Sequence, residues 1–199
     1  MRKLIGNLDE GKLIIISAPA GTGKTTLACK LVEEFPQHVV RSVSCTTRLP
    51  REGEAHGKDY FFLAEKEFEE YKIANQFLEY ATVFKAQYGT LKELVVRQCA
   101  DGKHVILVID TQGAMKLRYR NDAIFVFIKP PSLVSLKERL AKRNTESSVV
   151  IQQRLDRVDF EMDQAKYYDY HIVNKDLEQA YQVLKSIVIA EEHKNRGKR

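Results

Sequence analysis

Hydrophobic and polar positions alternate along the chain in two recurring rhythms. Nearly continuous apolar runs at residues 12–17 (KLIIIS), 104–110 (HVILVID) and 123–128 (AIFVFI) read as strands buried on both faces. Such strands belong in the middle of a parallel sheet covered by helices. Elsewhere the apolar spacing lengthens to that of a helix. Residues 24–35 put Leu27, Leu31, Val32 and Phe35 on one face, and Pro36 ends the pattern. Beyond Pro130 and Pro131 a helix resumes at Ser132 and runs to about Arg143. The last helix opens at Asp176, where Gln179 completes a near capping box, and turns Leu177, Ala180, Tyr181, Leu184, Ile187 and Val188 inward. Strand followed by helix, repeated, predicts an α/β doubly wound fold.

Two stretches break this rhythm. Residues 41–89 are rich in arginine, glycine and aromatics, with short strand-like runs such as residues 60–63, and predict a small lobe outside the main sheet. Residues 142–157 are charged and helical in pattern and predict a mobile flap. The expected organisation is therefore a core of residues 1–40 and 91–199, an inserted lobe at 41–90, and a lid at 142–157 within the core.

Composition narrows the functional classes. The chain has 199 residues, 44% hydrophobic and 30% charged, which suits one compact domain with or without a small inserted lobe. No apolar stretch approaches the roughly 18 residues needed to span a bilayer, so no membrane partner is expected. The N-terminus lacks the apolar core of a secretory signal. Cys29, Cys45 and Cys99 are odd in number and far apart, which argues against a disulfide framework and for a cytoplasmic location. No Cys-x-x-Cys or His-x-x-x-His pair suggests a zinc site. The net charge of +5 points to polyanionic partners, either nucleic acid or small phosphorylated molecules. Part of that excess lies in the basic tail at 193–199, which reads as a solvated terminus.

The most specific local signal is Ala18-Pro19-Ala20-Gly21-Thr22-Gly23-Lys24-Thr25, followed by Thr26. It follows a buried strand and opens a helix, the context a P-loop requires. Gly21 and Gly23 allow a tight turn whose backbone N–H groups face phosphate oxygens, and the helix N-terminus adds partial positive charge. Lys24 supplies a full charge for the β- and γ-phosphates, and the Thr25 hydroxyl can ligate Mg²⁺. The usual pattern begins with glycine, so this loop must accommodate the Cβ of Ala18. The apolar run ending in Asp110 supplies the second element of such a site, a carboxylate beside the loop that can hold a Mg²⁺-bound water. The same residue can equally serve as a helix N-cap before Thr111-Gln112-Gly113.

Downstream, Ser42-Val43-Ser44-Cys45-Thr46-Thr47-Arg48-Leu49-Pro50-Arg51-Glu52-Gly53-Glu54 sets two arginines three apart among hydroxyls, a plausible phosphate clamp. Gly57-Lys58-Asp59-Tyr60-Phe61-Phe62, Phe77-Leu78-Glu79-Tyr80-Ala81 and Tyr88-Gly89-Thr90 follow in order. With the P-loop, Ile109-Asp110-Thr111-Gln112-Gly113-Ala114, the Pro-Pro-Ser stretch at 130–132 and Val173-Asn174-Lys175-Asp176-Leu177, these strings resemble the guanylate kinase family from about Leu13 to Glu192.

The resemblance implies a P-loop core, a GMP-binding lobe and a helical lid. It implies transfer of the γ-phosphoryl group of ATP to GMP, giving ADP and GDP in purine metabolism, with Mg²⁺. Ser44, Arg48, Arg51, Tyr60, Glu79, Tyr88 and Thr90 match GMP-site positions. Arg143 and Arg154 match lid arginines that reach the transferring phosphates, and Asn174 matches a position near the adenine. The residues expected to carry catalysis are Lys24, Arg48, Arg143 and Arg154. Guanine presents N1–H and N2–H₂ as donors, and an ionised Glu79 can accept from both, with Ser44 and Thr90 serving the remaining edge. Adenine has no N1–H, and sites of this kind reject analogues by roughly 10⁴–10⁵-fold. No general base is required, because a phosphate monoester oxygen is already largely ionised near neutral pH.

The chain departs from the family at several places. Val108 stands where a second acid usually precedes the strand-ending aspartate. The segment Phe84-Lys85-Ala86-Gln87 lacks the usual polar and tyrosine pattern, and Lys142-Arg143-Asn144-Thr145 lacks hinge glycines. Arg139 and Arg157 read equally as solvated surface charges or as site residues. A kinase for another phosphorylated acceptor, such as a ribose bisphosphate, and a non-enzymatic interaction module are the competing classes. Monomer and homodimer are both compatible with the sequence, and no nucleic-acid role is expected.

Overall fold

The computed structural model describes residues 3–83, 85–141 and 156–194. Its centre is a five-stranded, all-parallel sheet. Strand β1 (Leu13–Ser17) lies in the middle, flanked by β7 (His104–Val108) and β8 (Ala123–Lys129). Short strands close the edges, β2 (Val39–Arg41) beside β7 and β9 (Tyr170–Val173) beside β8. The three central strands are the three apolar runs of the sequence. Alternate side chains leave the sheet on opposite faces. Ile14, Ile16, Ile106, Val126 and Ile128 enter one core with α1 (Lys24–Glu34) and the C-terminal helix α7 (Leu177–His193). Leu13, Ile15, Val105, Leu107, Phe125 and Phe127 enter a second with α3 (Lys92–Ala100) and Tyr168. The α/β class expected from the pattern is the class observed.

Four further strands form a small mixed sheet in the order β4 (Phe61–Phe62), β3 (Cys45–Thr46), β6 (Ala86–Leu91), β5 (Phe77–Val83). Helix α2 (Glu65–Ile73) covers it, and Cys45, Phe68 and Phe77 form its core. The β5–β6 register shifts between Phe77 and Glu79. That irregularity lets Phe77 pack among the lobe's own aromatics while Glu79, Ala81 and Val83 face a cleft. Helix α4 (Thr111–Lys116) follows β7, α5 (Leu133–Ala141) follows β8, and α6 (Val158–Asp163) leads through a 3₁₀ turn into β9. Among the described residues no helix is long and apolar enough to cross a membrane.

At the N-terminal ends of the strands lies a buried polar cluster that the hydrophobic pattern does not reveal. The backbone N–H of Lys12 donates to His104 Nδ1 at 3.0 Å. The other ring nitrogen, Nε2, must therefore carry the proton and donate to Glu192 Oε2 at 2.7 Å. Glu192 also accepts from the backbone N–H groups of Gly6 and Asn7 and from the Asn7 amide. Burial alone would raise the Glu192 carboxyl, but these donors overcome it and hold the group at about 2. Burial lowers the pKa of His104, with Glu192 opposing in part.

Both shifts make the fold acid-sensitive. Below the ordinary histidine range the unfolded chain takes up a proton that folded His104 refuses. Below the ordinary carboxylate range the unfolded chain protonates a glutamate that the fold keeps ionised down to about 2. The stability that these two groups contribute is expected to fall with pH first below roughly 6.5, through His104, and again below roughly 4.5, through Glu192. Glu192→Gln is expected to cost about 2–4 kcal/mol at pH 7.5, measured by urea unfolding, and to flatten the lower limb.

Candidate active site

The loop between β1 and α1 is shaped by two positive backbone angles, φ 85° at Gly21 and φ 89° at Gly23. Gly23 is the N-cap of α1, and a Cβ there would also fall 2.7 Å from Asn174 Nδ2. Side chains other than glycine are doubly excluded. Asn174, just past β9, is buried and donates to the Thr22 carbonyl at 2.7 Å. Thr22 Oγ1 donates to the Pro19 carbonyl at 2.8 Å. The loop is thus held from behind and from within. Ala18 is accommodated because its side chain packs into the core beneath. Lys24 Nζ reaches back to within 3.5 Å of the Ala18 carbonyl. No side chain caps the start of α1, which leaves its first N–H groups for an anion.

Beside this loop, β7 ends and Asp110 begins α4. Asp110 Oδ1 accepts from the Gly113 N–H at 2.8 Å, while Oδ2 is buried without a hydrogen-bond partner. Both readings of Asp110, cap and site carboxylate, are therefore compatible in one side chain. Burial raises its pKa, and the Gly113 N–H and the charges of Arg157 and Lys24 draw it back.

The small sheet forms the facing wall. Glu79 and Thr90 are cross-strand partners on β5 and β6, and Thr90 Oγ1 donates to Glu79 Oε1 at 2.7 Å. Glu79 is only 5% exposed. Its other oxygen lies against Gly113, where any Cβ would overlap it. Burial pushes the Glu79 carboxyl up to about 7, with Thr90 opposing and Asp110 adding to the rise. Arg48 is pinned by Glu54, whose two oxygens each accept from Nη2 at 2.9 Å. Its guanidinium stands 5.4 Å from the Tyr60 ring centroid, and Tyr60 meets Tyr88 edge-on at 6.0 Å. The Arg51 backbone N–H also donates to Glu54, which ties the 48–54 turn together.

The two walls enclose a cleft of about 290 Å³. Ala18, Ala20, Gly21, Gly23, Lys24, Thr25, Thr26 and Asp110 border it from the core. Ser44, Arg48, Arg51, Tyr60, Glu79 and Tyr88 border it from the lobe. Pro19, Thr22, Thr90 and Asn174 do not line it. Thr22 and Asn174 shape the phosphate loop, and Thr90 acts on Glu79. Arg143 and Arg154 lie outside the described residues, as do most of the expected lid and Phe84.

The family described as guanylate kinase matches residues 10–191. The chain is 55% identical over 192 residues to a guanylate kinase of Protochlamydia amoebophila (strain UWE25), covering 96% of this chain and 97% of that one. It is 48% identical over 183 residues to a guanylate kinase of Chlamydia muridarum, covering 92% and 89%. A crystal structure of guanylate kinase from Anaplasma phagocytophilum superposes with a TM-score of 0.78 at 34% identity, covering 94% of this chain and 88% of that one. The chain belongs to the guanylate kinase family.

Within this guanylate kinase fold, sequence reasoning missed three features of the cleft. Glu54, quoted in its motif, gave no sign that it would grip Arg48, because a loop has no period to read. Gly113 is far from Glu79 in sequence, so their contact is purely tertiary. Arg157, undecided between surface and site, borders the cavity. Val108, the departure from the usual acid, packs beside Ile16 at the edge of the apolar core and lines the cleft with methyl groups. Gly113→Ala is expected to displace the Glu79 carboxylate. It should weaken GMP binding at least about tenfold while leaving ADP binding intact, a split that calorimetry with each nucleotide would read.

Proposed function

We propose that this chain catalyses ATP + GMP = ADP + GDP, with the reaction confined to the cleft between the phosphate loop and the small sheet. The observation that carries the reading is Glu79. A buried carboxylate fixed between Thr90 and Gly113 opens onto the same cavity as Lys24 and the α1 N-terminus. That arrangement suits guanine, whose adjacent N1–H and N2–H₂ can both donate to one carboxylate, whereas adenine offers only its N6 amino group beside the N1 acceptor.

In this reading residues 41–90 bind GMP and the core binds ATP. Arg48, oriented by Glu54, takes the GMP phosphate together with Arg51, Tyr60 and Tyr88. Lys24 and the loop N–H groups hold the ATP phosphates. An ionised GMP phosphate oxygen attacks the γ-phosphorus, and the bond to the bridging oxygen breaks as ADP leaves with the negative charge. The protein contributes in-line positioning and charge neutralisation, with no proton to remove. Closure of the 142–157 segment, with Arg143 and Arg154, belongs to the same proposal and would exclude water.

Mg²⁺ fits the residues present. The unpartnered Asp110 Oδ2 and the Thr25 hydroxyl, which borders the cleft, are hard oxygen donors of the kind Mg²⁺ uses alongside phosphates and water. When bound, the ion would neutralise charge on the ATP phosphates. The cysteine usage supports a cytoplasmic site of action, and monomer and homodimer remain equally compatible.

The test is ADP release from ATP with GMP, AMP, UMP, CMP or ribose 1,5-bisphosphate as separate acceptors. GMP-selective turnover is expected, and turnover with a different acceptor would sink the guanine assignment. Glu79→Gln should lower kcat/KM for GMP by about 10² or more.

The pH dependence has a definite sign. Glu79 must be ionised to accept two donors, and its carboxyl lies at about 7 before GMP binds. GMP affinity should therefore weaken as pH falls through 7, and Glu79→Gln should lose that limb. The folded pKa lies above the unfolded value, so the stability that Glu79 itself contributes to the ligand-free protein is lost as pH rises from about 4.5 to 7, opposite in sign to the contribution of His104. At pH 8 Glu79→Gln should raise the Tm of the ligand-free protein by a few degrees, roughly what ~1 kcal/mol gives in a chain of this size.

A further inference from the structure

One cation on the cleft wall has no role in the reaction as described so far. Arg157 is the N-cap residue of α6, half-buried, and it borders the same cavity as Lys24, Arg48 and Asp110. Two cations from different elements, the phosphate loop and α6, thus border one cavity together with the Asp110 carboxylate. That carboxylate stands where β7 ends next to β1, whose loop would hold the ATP phosphates. The facing wall carries Arg48 and Arg51 for the GMP phosphate. A phosphoryl group moving from one wall to the other would cross the cavity that Asp110 and both cations border.

A guanidinium is suited to that place. Its planar fork can hold two phosphoryl oxygens at once, and its charge persists at every working pH. We propose that Arg157 is a catalytic residue of this cleft that contacts the phosphoryl group in transit between ATP and GMP, sharing with Lys24 the neutralisation of its charge. The inference rests on the kinase reading above. A purely structural Arg157, serving only as counter-ion to Asp110, makes different predictions.

The experiment compares wild type, Arg157→Gln and Arg157→Lys. Steady-state kinetics are read together with calorimetric binding of GMP and of a bisubstrate in which adenosine and guanosine are joined by five phosphates. In Arg157→Gln, kcat should fall about 10²-fold, the scale for losing one donor to transition-state charge, with both KM values within about threefold. Bisubstrate affinity should drop at least about tenfold while GMP affinity holds, because only the bisubstrate fills the path between the walls. Arg157→Lys should recover part of kcat.

A kcat within about threefold of wild type in Arg157→Gln would overturn the proposal. So would equal losses of GMP and bisubstrate affinity, which mark a general structural defect. If Arg157→Gln does not fold, Arg157→Lys decides alone: a reduced kcat with unchanged GMP affinity supports the role, and wild-type kinetics overturn it. Absence of GMP-dependent turnover in wild type would remove the kinase reading and this inference with it. Normal wild-type turnover with an unimpaired Arg157→Gln would remove the inference alone.

Discussion

The missing side chain at Gly113 is the constraint on which the cleft depends. Its N–H caps α4 through Asp110, and its bare Cα lets the Glu79 carboxylate of the small sheet press against the same turn. The two walls thus meet at one residue, with a carboxylate from each beside it. The rest of the cleft lining is built outward from there. Thr90 orients Glu79 across β5–β6, and the irregular register near Phe77 turns Glu79 toward the cavity rather than into the lobe's aromatic core. On the other side β1 delivers the phosphate loop, clasped by Asn174 just past β9. Because β1, β7 and β9 belong to one parallel sheet, their C-terminal ends arrive on the same edge, which is where such sheets bind ligands.

This arrangement sets binding against stability. Glu79 and Asp110 are buried near each other, and burial raises the pKa of both. A buried acceptor without its full set of donors is costly, and the cost falls on the ligand-free state. The cations around the cleft offset part of it. Lys24 and Arg157 both act on Asp110, and Lys116 acts on Glu79. A substrate that brings donors to Glu79 and phosphates to the cations relieves both kinds of strain at once. On the proposed assignment of Glu79, specificity would follow from the same desolvation that destabilises the empty site, since a base without the matching donors would leave the carboxylate buried and unpaired.

The sequence made the centre of the fold legible and its margins obscure, for one physical reason. Residues 13–17, 104–108 and 123–129 are buried on both faces, so burial alone writes them as apolar runs. The edge strands Val39–Arg41 and Tyr170–Val173 are short and only partly buried, and they carry no such signature. The lobe's two-residue strands lie below the length at which alternation can be read. The phosphate loop was readable because its chemistry demands particular residues at fixed spacing. The contacts of Arg48 with Glu54, Glu79 with Gly113 and Asn174 with Thr22 were not, because they join positions through folding rather than through any local repeat. Asn174 is the instructive case. Family resemblance sets it near the adenine, and its amide also donates to the Thr22 carbonyl, a contact no local repeat announces. Through that bond it bears on where the loop N–H groups point.

Two buried glutamates show how the same side chain is turned to opposite ends. Glu192 lies at the N-terminal edge of the sheet and collects four donors, from His104, Gly6 and Asn7. They hold it ionised down to about 2 and tie the N-terminal segment to α7. Glu79 lies on the cleft wall with one donor, Thr90, and is pushed up to about 7. Both are almost completely buried, so exposure does not separate them. The difference is the number of donors the fold supplies. A fully satisfied carboxylate is a structural fixture, and a substrate would have to break existing bonds to use it. An under-satisfied one keeps acceptor capacity that only an incoming ligand can fill. The fold thus completes its polar network at one end of the sheet and leaves it open at the other, and the open end is where the phosphate loop lies.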